Sequence, residues 1–284
     1  MILITGATGN IGRRVAELLS KRGETLRLMG RHVESMPDLA QSERVIGDYA
    51  NPASLDKAFE GVSRAFIVSG YAEPGRRAEL HRNAFQAASR AGVRHVVYLS
   101  FLGASPQSKF PMSRDHYLSE QYLKETGIPF TILRDSLYLD LIPEMFNEKG
   151  VMRGPGDEGS VAWVSREDVA HVVAATLDPR TPSQGTYDVT GPETLTLQET
   201  ARQVSLLVGR EIRYEDESVE EGRKWRNALG APAWEVDTWL GSYEAIAVGE
   251  LDTVSDTVLQ FTGDRPLSLS QYFGKHPELL NKLR

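Results

Sequence analysis

A strand that ends in three glycines spaced three apart and runs straight into a helix leaves a chain few folds to choose from. Residues Met1-Ile-Leu-Ile-Thr-Gly-Ala-Thr-Gly-Asn-Ile-Gly12 have this layout. Ile2 to Ile4 read as a short buried strand, and Ile11, Val15, Leu18 and Leu19 fall on one face of the helix that follows. Gly6 allows a tight turn, Gly9 lets a pyrophosphate approach the backbone, and Gly12 lets helix and strand pack closely. The N–H groups at the helix start then face the phosphates. The spacing is G-x-x-G-x-x-G, so the signal lies in the strand before and the helix after as much as in the glycines.

The second strand, Thr25 to Met29, is followed by Gly30-Arg31-His32. A site selective for NADH places an acid at that end, where it bonds the ribose 2′-hydroxyl. Arg31 stands there instead and suits a 2′-phosphate, so NADPH is expected over NADH; its other reading is a solvated surface arginine. Further strands are expected at Arg44–Gly47, Arg64–Val68, Val93–Leu99 and Pro129–Arg134. Helices between them are marked by the Asn51-Pro52 cap, an alanine-rich face from Leu80 to Ala91, and a segment from Asp115 to Glu125. This alternation implies an α/β, Rossmann-type doubly wound parallel sheet with ligands at the carboxyl ends of its strands, where Asp48, Ser69 and Ser100 fall.

The second half is less regular. Phe146 to Gly159 reads as a loop, and Val161–Val164 and Tyr187–Thr190 as short strands. Ser165-Arg-Glu-Asp168, Thr196-Leu-Gln-Glu199 and Ser218-Val-Glu-Glu221 read as capping boxes that open helices. Residues 1–152 are taken as the dinucleotide-binding domain. Residues 153–284 are taken as the part that completes the sheet and forms a smaller, mostly helical lobe over its ligand edge. The 284 residues contain no cysteine, which excludes disulfides and thiolate metal sites and suits a reducing compartment, with a cytoplasmic protein expected. No apolar run is long enough for a bilayer, the first strand begins at residue 2, and a net charge of −7 disfavours nucleic acid. No membrane or nucleic-acid partner is expected, and homo-oligomerisation is left open.

Thr5-Gly-Ala-Thr-Gly-Asn-Ile-Gly12, Gly47-Asp48, Val68-Ser69, Leu99-Ser100, Gly127-Ile-Pro-Phe-Thr-Ile-Leu-Arg134, Trp163-Val-Ser-Arg-Glu-Asp-Val-Ala170 and Thr262-Gly-Asp-Arg-Pro266 resemble the NmrA-like atypical short-chain dehydrogenase/reductases. The resemblance spans nearly the whole chain and is nearest to NAD(P)H:quinone and triphenylmethane-dye reductases. The same family holds non-catalytic dinucleotide-sensing regulators. The resemblance implies that Gly6, Thr8, Gly9, Asn10 and Ile11 line the pyrophosphate and that Arg31 meets the adenosine phosphate. It places Asp48 and Tyr49 beside the adenine, Ser69 and Tyr71 along the nicotinamide ribose, and Ser100 at the position of the wider superfamily's catalytic serine. Asp48 equally suits a helix cap, and Ser69 and Ser100 equally suit strand ends. Tyr138, Phe146 and Trp163, with Trp225, Trp234 and Trp239, are candidates for an aromatic substrate pocket or for simple packing.

The wider superfamily pairs a tyrosine with a lysine four residues later as its acid–base couple. None of the ten tyrosines here has one. Alignment on His116-Tyr-Leu-Ser-Glu120 puts His116 in the lysine's place and Met112 in the tyrosine's. A simple ketone reduces to a strongly basic alkoxide that needs a positioned acid. A quinone reduces to a phenolate-type anion of pKa ~10, and a cationic dye takes hydride with no proton. A small aromatic or quinone-like acceptor is therefore expected, with His116 as the candidate donor; its other reading is a helix residue bonded to Glu120. The alternatives are a dinucleotide sensor without chemistry and a tailoring ketoreductase. No metal-ligand spacing appears among the six histidines, and the Glu215–Glu221 acids read as a solvated face.

Overall fold

The computed structural model describes residues 1–181 and 183–284. Its first half alternates strand and helix: β1 (Ile2–Ile4), α1 (Asn10–Lys21), β2 (Leu26–Gly30), β3 (Ser42–Ile46), α2 (Pro52–Phe59), β4 (Arg64–Ile67), α3 (Arg76–Arg90), β5 (His95–Phe101), α4 (Pro111–Glu125) and β6 (Phe130–Asp135). The second half follows with β7 (Val151–Gly154), β8 (Ser160–Val161), α5 (Arg166–Thr176), β9 (Gly185–Val189), β10 (Leu195–Thr196), α6 (Leu197–Val208), β11 (Arg213–Asp216), α7 (Val219–Ala228), α8 (Ala233–Ala247), α9 (Thr257–Thr262) and α10 (Leu269–Lys275).

Seven strands form one parallel sheet in the order β3-β2-β1-β4-β5-β6-β9. Every residue of β1 and β5 is buried, as strands covered on both faces require. α1, α5 and α9 pack together on one face, and α2, α3 and α4 on the other, each over its own apolar core. Strand order reverses between β1 and β4, which opens a crevice at their carboxyl ends. The last strand of the sheet, β9, comes from the second half of the chain. The remaining segments build a third core, with Trp163, Leu197, Tyr243 and Phe273 among its members, above that crevice.

The expected helix starts form. Asn51, Ser165, Thr196 and Ser218 each accept the N–H three residues on. The boxes at Thr196 and Ser218 close reciprocally with Glu199 and Glu221, and Ser268 with Gln271 adds a third.

Three expectations need correction. The stretch 146–159 is not all loop: Val151–Gly154 is strand β7, paired in parallel with β11 some sixty residues later. Of Val161–Val164 only Val161 lies in a strand; Ala162 N–H bonds Leu251 O and Val164 N–H bonds Leu137 O, so this run stitches the lobe to the end of the sheet. The Glu215–Glu221 acids are not one solvated face. The Glu217 carboxylate is buried on the Arg226 guanidinium at 2.7 Å, with both side chains 1% exposed.

Candidate active site at the carboxyl edge of the sheet

A cleft of about 750 Å³ runs along the crevice, and Gly6, Thr8, Gly9, Asn10 and Ile11 form one wall. The local chemistry suits an anion. Gly6 sits at φ +59°, and a Cβ there would meet Val68 Cγ1 at 2.4 Å. A Cβ on Gly12 would meet the Gly6 carbonyl oxygen at 2.3 Å, so only glycine seats α1 this tightly on the turn. Gly9 is the N-cap of α1, no side chain caps it, and the first turn holds no acid. The first N–H groups of the helix therefore lack intrahelical partners and supply positive potential to a phosphate. Tyr49, Ser69 and Tyr71 also line the cleft. The Tyr49 hydroxyl is bonded to Thr5 at 2.7 Å and to the Val68 carbonyl at 2.9 Å, which presents its ring rather than its polar end.

Two residues assigned to the dinucleotide stand beside the cleft's lining, next to Gly30 and Gly47, rather than in it. Arg31 is exposed just past β2 and is not part of the cleft wall. Asp48 is not part of it either. Its carboxylate accepts the Ala50 N–H, and its own N–H bonds Ser54 Oγ, so it shapes the turn into α2.

Ser100, assigned as the catalytic serine, and His116, assigned as the proton donor, both have their polar atoms engaged by protein groups. Ser100 is 1% exposed and donates to Glu120 Oε1 at 2.7 Å, away from the cleft. Glu120 is not the partner of His116; it holds Arg134 through both oxygens, at 2.7 and 2.6 Å. His116 does line the cleft, but Nε2 lies 2.9 Å from Arg77 Nη2 and Nδ1 lies 3.0 Å from the Tyr98 hydroxyl. A guanidinium only donates. Nε2 therefore accepts, and the ring's one proton sits on Nδ1, facing Tyr98. Burial, then the Arg77 charge, holds this imidazole well below the usual histidine range. His116 is thus a neutral acceptor that orients Arg77.

Arg77 carries no signal in residue spacing, and the turn after β6 carries only its place at a strand end. Arg77 is 7% exposed and donates to Gly70 O, Met112 O and His116, all uncharged acceptors. It forms part of the cleft wall, as do Asp135, Ser136, Tyr138 and Arg166.

A second cavity of about 760 Å³ lies under the lobe, lined by Phe146, Trp163, Trp225, Trp234, Trp239 and Tyr243 among others. It shares Tyr71, Phe110, Leu137, Leu141 and Thr238 with the cleft along the glycine turn, so the two spaces adjoin. Tyr71 spans the boundary, its hydroxyl 2.8 Å from Glu235 and its ring against Trp234. Tyr138 faces the cleft rather than this aromatic cavity. Among the described residues no cluster of His, Asp or Glu has metal-site geometry, and no helix is long and apolar enough to cross a membrane.

The parallel sheet, the glycine turn and the adjoining aromatic cavity define a dinucleotide-dependent oxidoreductase. A family model described as NAD(P)H-binding matches residues 6–180, and the chain belongs to that family, among the NmrA-like atypical short-chain dehydrogenase/reductases. It is 31% identical to a (4-alkanoyl-5-oxo-2,5-dihydrofuran-3-yl)methyl phosphate reductase of Streptomyces griseus, with 98% of each chain covered. It is 28% identical to an NAD(P)H azoreductase of Xenophilus azovorans, with 97% of each covered. The Escherichia coli NADPH-dependent quinone oxidoreductase QOR2, solved with NADPH, superposes with a TM-score of 0.88 at 28% identity, over 97% of this chain and 99% of that one. The chain is an NAD(P)H-dependent reductase of the quinone-reductase and azoreductase type.

Proposed function

We propose that this reductase prefers NADPH and delivers hydride to a quinone-like or similarly conjugated aromatic acceptor that stabilises its own developing charge. The observation that carries this reading is the aromatic cavity that adjoins the dinucleotide cleft across Tyr71, Phe110, Leu137, Leu141 and Thr238. Gly6, Thr8, Gly9, Asn10 and Ile11 hold the pyrophosphate, and Tyr49, Ser69 and Tyr71 border the rest of the dinucleotide. The bound dinucleotide supplies the hydride. The indole and phenyl faces of Trp163, Trp225, Trp234 and Phe146 sandwich a flat ring and keep water from it. Arg31, with no acid at the end of β2, favours the 2′-phosphate from the cleft's outer rim. The absence of cysteine suits a cytoplasmic setting.

The acceptor is uncharged or cationic rather than a phosphate ester like that named for the Streptomyces relative. The two cations of the aromatic cavity are already matched, Arg153 with Glu215 and Glu217, and Arg226 with Glu217. Ser100 and His116 have no part as acids, so a ketoreductase that relies on either finds no support.

The test is NADPH oxidation with a panel of quinones and a cationic triphenylmethane dye. Turnover is expected with both kinds of acceptor, and faster with NADPH than with NADH. Arg31→Ala should raise the KM for NADPH about tenfold, the worth of one exposed charge-assisted contact, and leave that for NADH within about twofold. No turnover with any acceptor would refute the reading.

A further inference from the structure

The turn after β6 is richer in polar groups than hydride delivery alone requires. Asp135 is the last residue of β6 and is 3% exposed. Its Oδ2 accepts the Tyr138 hydroxyl, and among the described residues it forms no ion pair. Ser136 is fully buried, and its hydroxyl has no partner among the described residues. Asp135, Ser136 and Tyr138 line the dinucleotide cleft, and Leu137 between them lines both spaces, so this turn stands where acceptor and dinucleotide meet. Three elements present titratable or charged groups to it. Arg77 comes from α3 and the neutral His116 from α4. Arg166, at the start of α5, lies 4.6 Å over the Tyr138 ring and is shared with Asp140 at 3.7 Å, the one further carboxylate that acts on Tyr138. A buried carboxylate with a purely structural role is held by a cation or by several N–H donors. Asp135 has the Tyr138 hydroxyl and its own backbone N–H, and Arg166 and Arg77 act on it from nearby without pairing with it.

We propose that Asp135 is the acid that protonates the reduced acceptor, with Tyr138 positioning its carboxyl group. The proposal rests on the reductase reading. A quinone that has gained a hydride is a hydroquinone monoanion. The Asp135 O–H bond breaks, an O–H bond forms on the acceptor oxygen, and the electron pair stays on the carboxylate. The Tyr138 hydroxyl and the nearby Arg77 and Arg166 cations stabilise that carboxylate, which regains its proton from water. Burial pushes the Asp135 carboxyl up to about 7, while the Tyr138 bond, Arg166 and Arg77 pull it the other way. Transfer to a phenolate of pKa ~10 is then downhill by roughly a thousandfold.

Asp135→Asn keeps an acceptor for Tyr138 and removes the proton. It should lower kcat with a quinone by about a hundredfold, the low end for a general acid. It should leave kcat within about twofold for a cationic triphenylmethane dye, which needs no proton. For the wild type the quinone kcat should fall as pH rises through about 7, and this fall should vanish in Asp135→Asn. Tyr138→Phe removes a bond that favours the carboxylate, so the fall should move to higher pH. In the protein without dinucleotide, infrared difference spectra should show a protonated-carboxyl band that titrates near neutrality and is absent in Asp135→Asn. Equal slowing with both acceptors, an unchanged quinone rate, or a missing band would overturn the proposal. A wild type that turns over neither acceptor would instead remove the reductase reading, and this assignment with it.

Discussion

Gly12→Ala tests the seating of the first helix. The added Cβ would stand 2.3 Å from Gly6 O, 2.7 Å from Gly6 C and 3.0 Å from Thr5 O. All three atoms are backbone, so no side chain can swing aside, and the helix must retreat by about 1 Å to restore van der Waals contact. Overpacking of this kind costs about 1–3 kcal/mol, and a rigid backbone neighbour puts this case at the upper end. In a chain of this size that lowers Tm by roughly 6–9 °C. The retreat also withdraws the N–H groups of α1 from the phosphates. Each charged contact is worth about 1.5 kcal/mol or more, so Kd for NADPH should rise at least about tenfold. Gly9→Ala separates the two effects. Its φ of −85° suits any L-residue, and its nearest neighbour, Gly6 O, is 3.3 Å away. That variant should keep Tm within about 2 °C yet bind NADPH more weakly, because the methyl group occupies the phosphate's approach. Thermal melts and titration calorimetry give both readouts. A Gly12→Ala protein with wild-type Tm would refute the seating. A Gly9→Ala protein with wild-type affinity would show that the phosphates do not cross this turn.

Two further predictions concern stability. His95 donates through Nε2 to Thr131 Oγ1, since Thr131 itself donates to Ser183 O. Burial, then Arg64, lowers its pKa to about 4. The unfolded chain therefore binds a proton that the folded protein refuses. The stability present above pH ~6.5 is lost as pH falls, by up to about 1.4 kcal/mol per unit, until about 4. His95→Gln keeps the donor and should flatten the dependence of unfolding free energy on pH in that window by the same amount; an unchanged slope in denaturant titrations would contradict this. Glu217→Ala leaves the Arg226 guanidinium buried without a carboxylate and should cost about 3–5 kcal/mol. Glu217→Leu with Arg226→Met should recover most of that loss in chemical denaturation, and a single variant as stable as wild type would rule out the pair's burial.

What could be read from residues alone was what local sequence controls. The glycine turn, the strand–helix alternation and the capped helix starts are set by neighbours a few residues apart, and all three appear. The pairing of β7 with β11 is set by chain far away, and four residues of Val-Met-Arg-Gly carry no alternation to announce it. Ser100 and His116 were sound candidates by position. What spacing could not show is which groups the fold brings beside them, Glu120 for one and Arg77 for the other. Asp135 was within reach, because the reasoning that singled out Asp48, Ser69 and Ser100 at strand ends applies equally to the end of β6.

The sheet is not finished until Gly185–Val189 docks against β6, long after the aromatic cavity's first wall residues, Tyr71 and Phe110, have been made. Chain cut near residue 180 would leave β6 as a bare edge and invite self-association. The covering lobe therefore cannot be exchanged as a cassette for that of another reductase. If the aromatic cavity is the acceptor's seat, as proposed, its range has to be re-engineered one wall residue at a time, from the tryptophans outward.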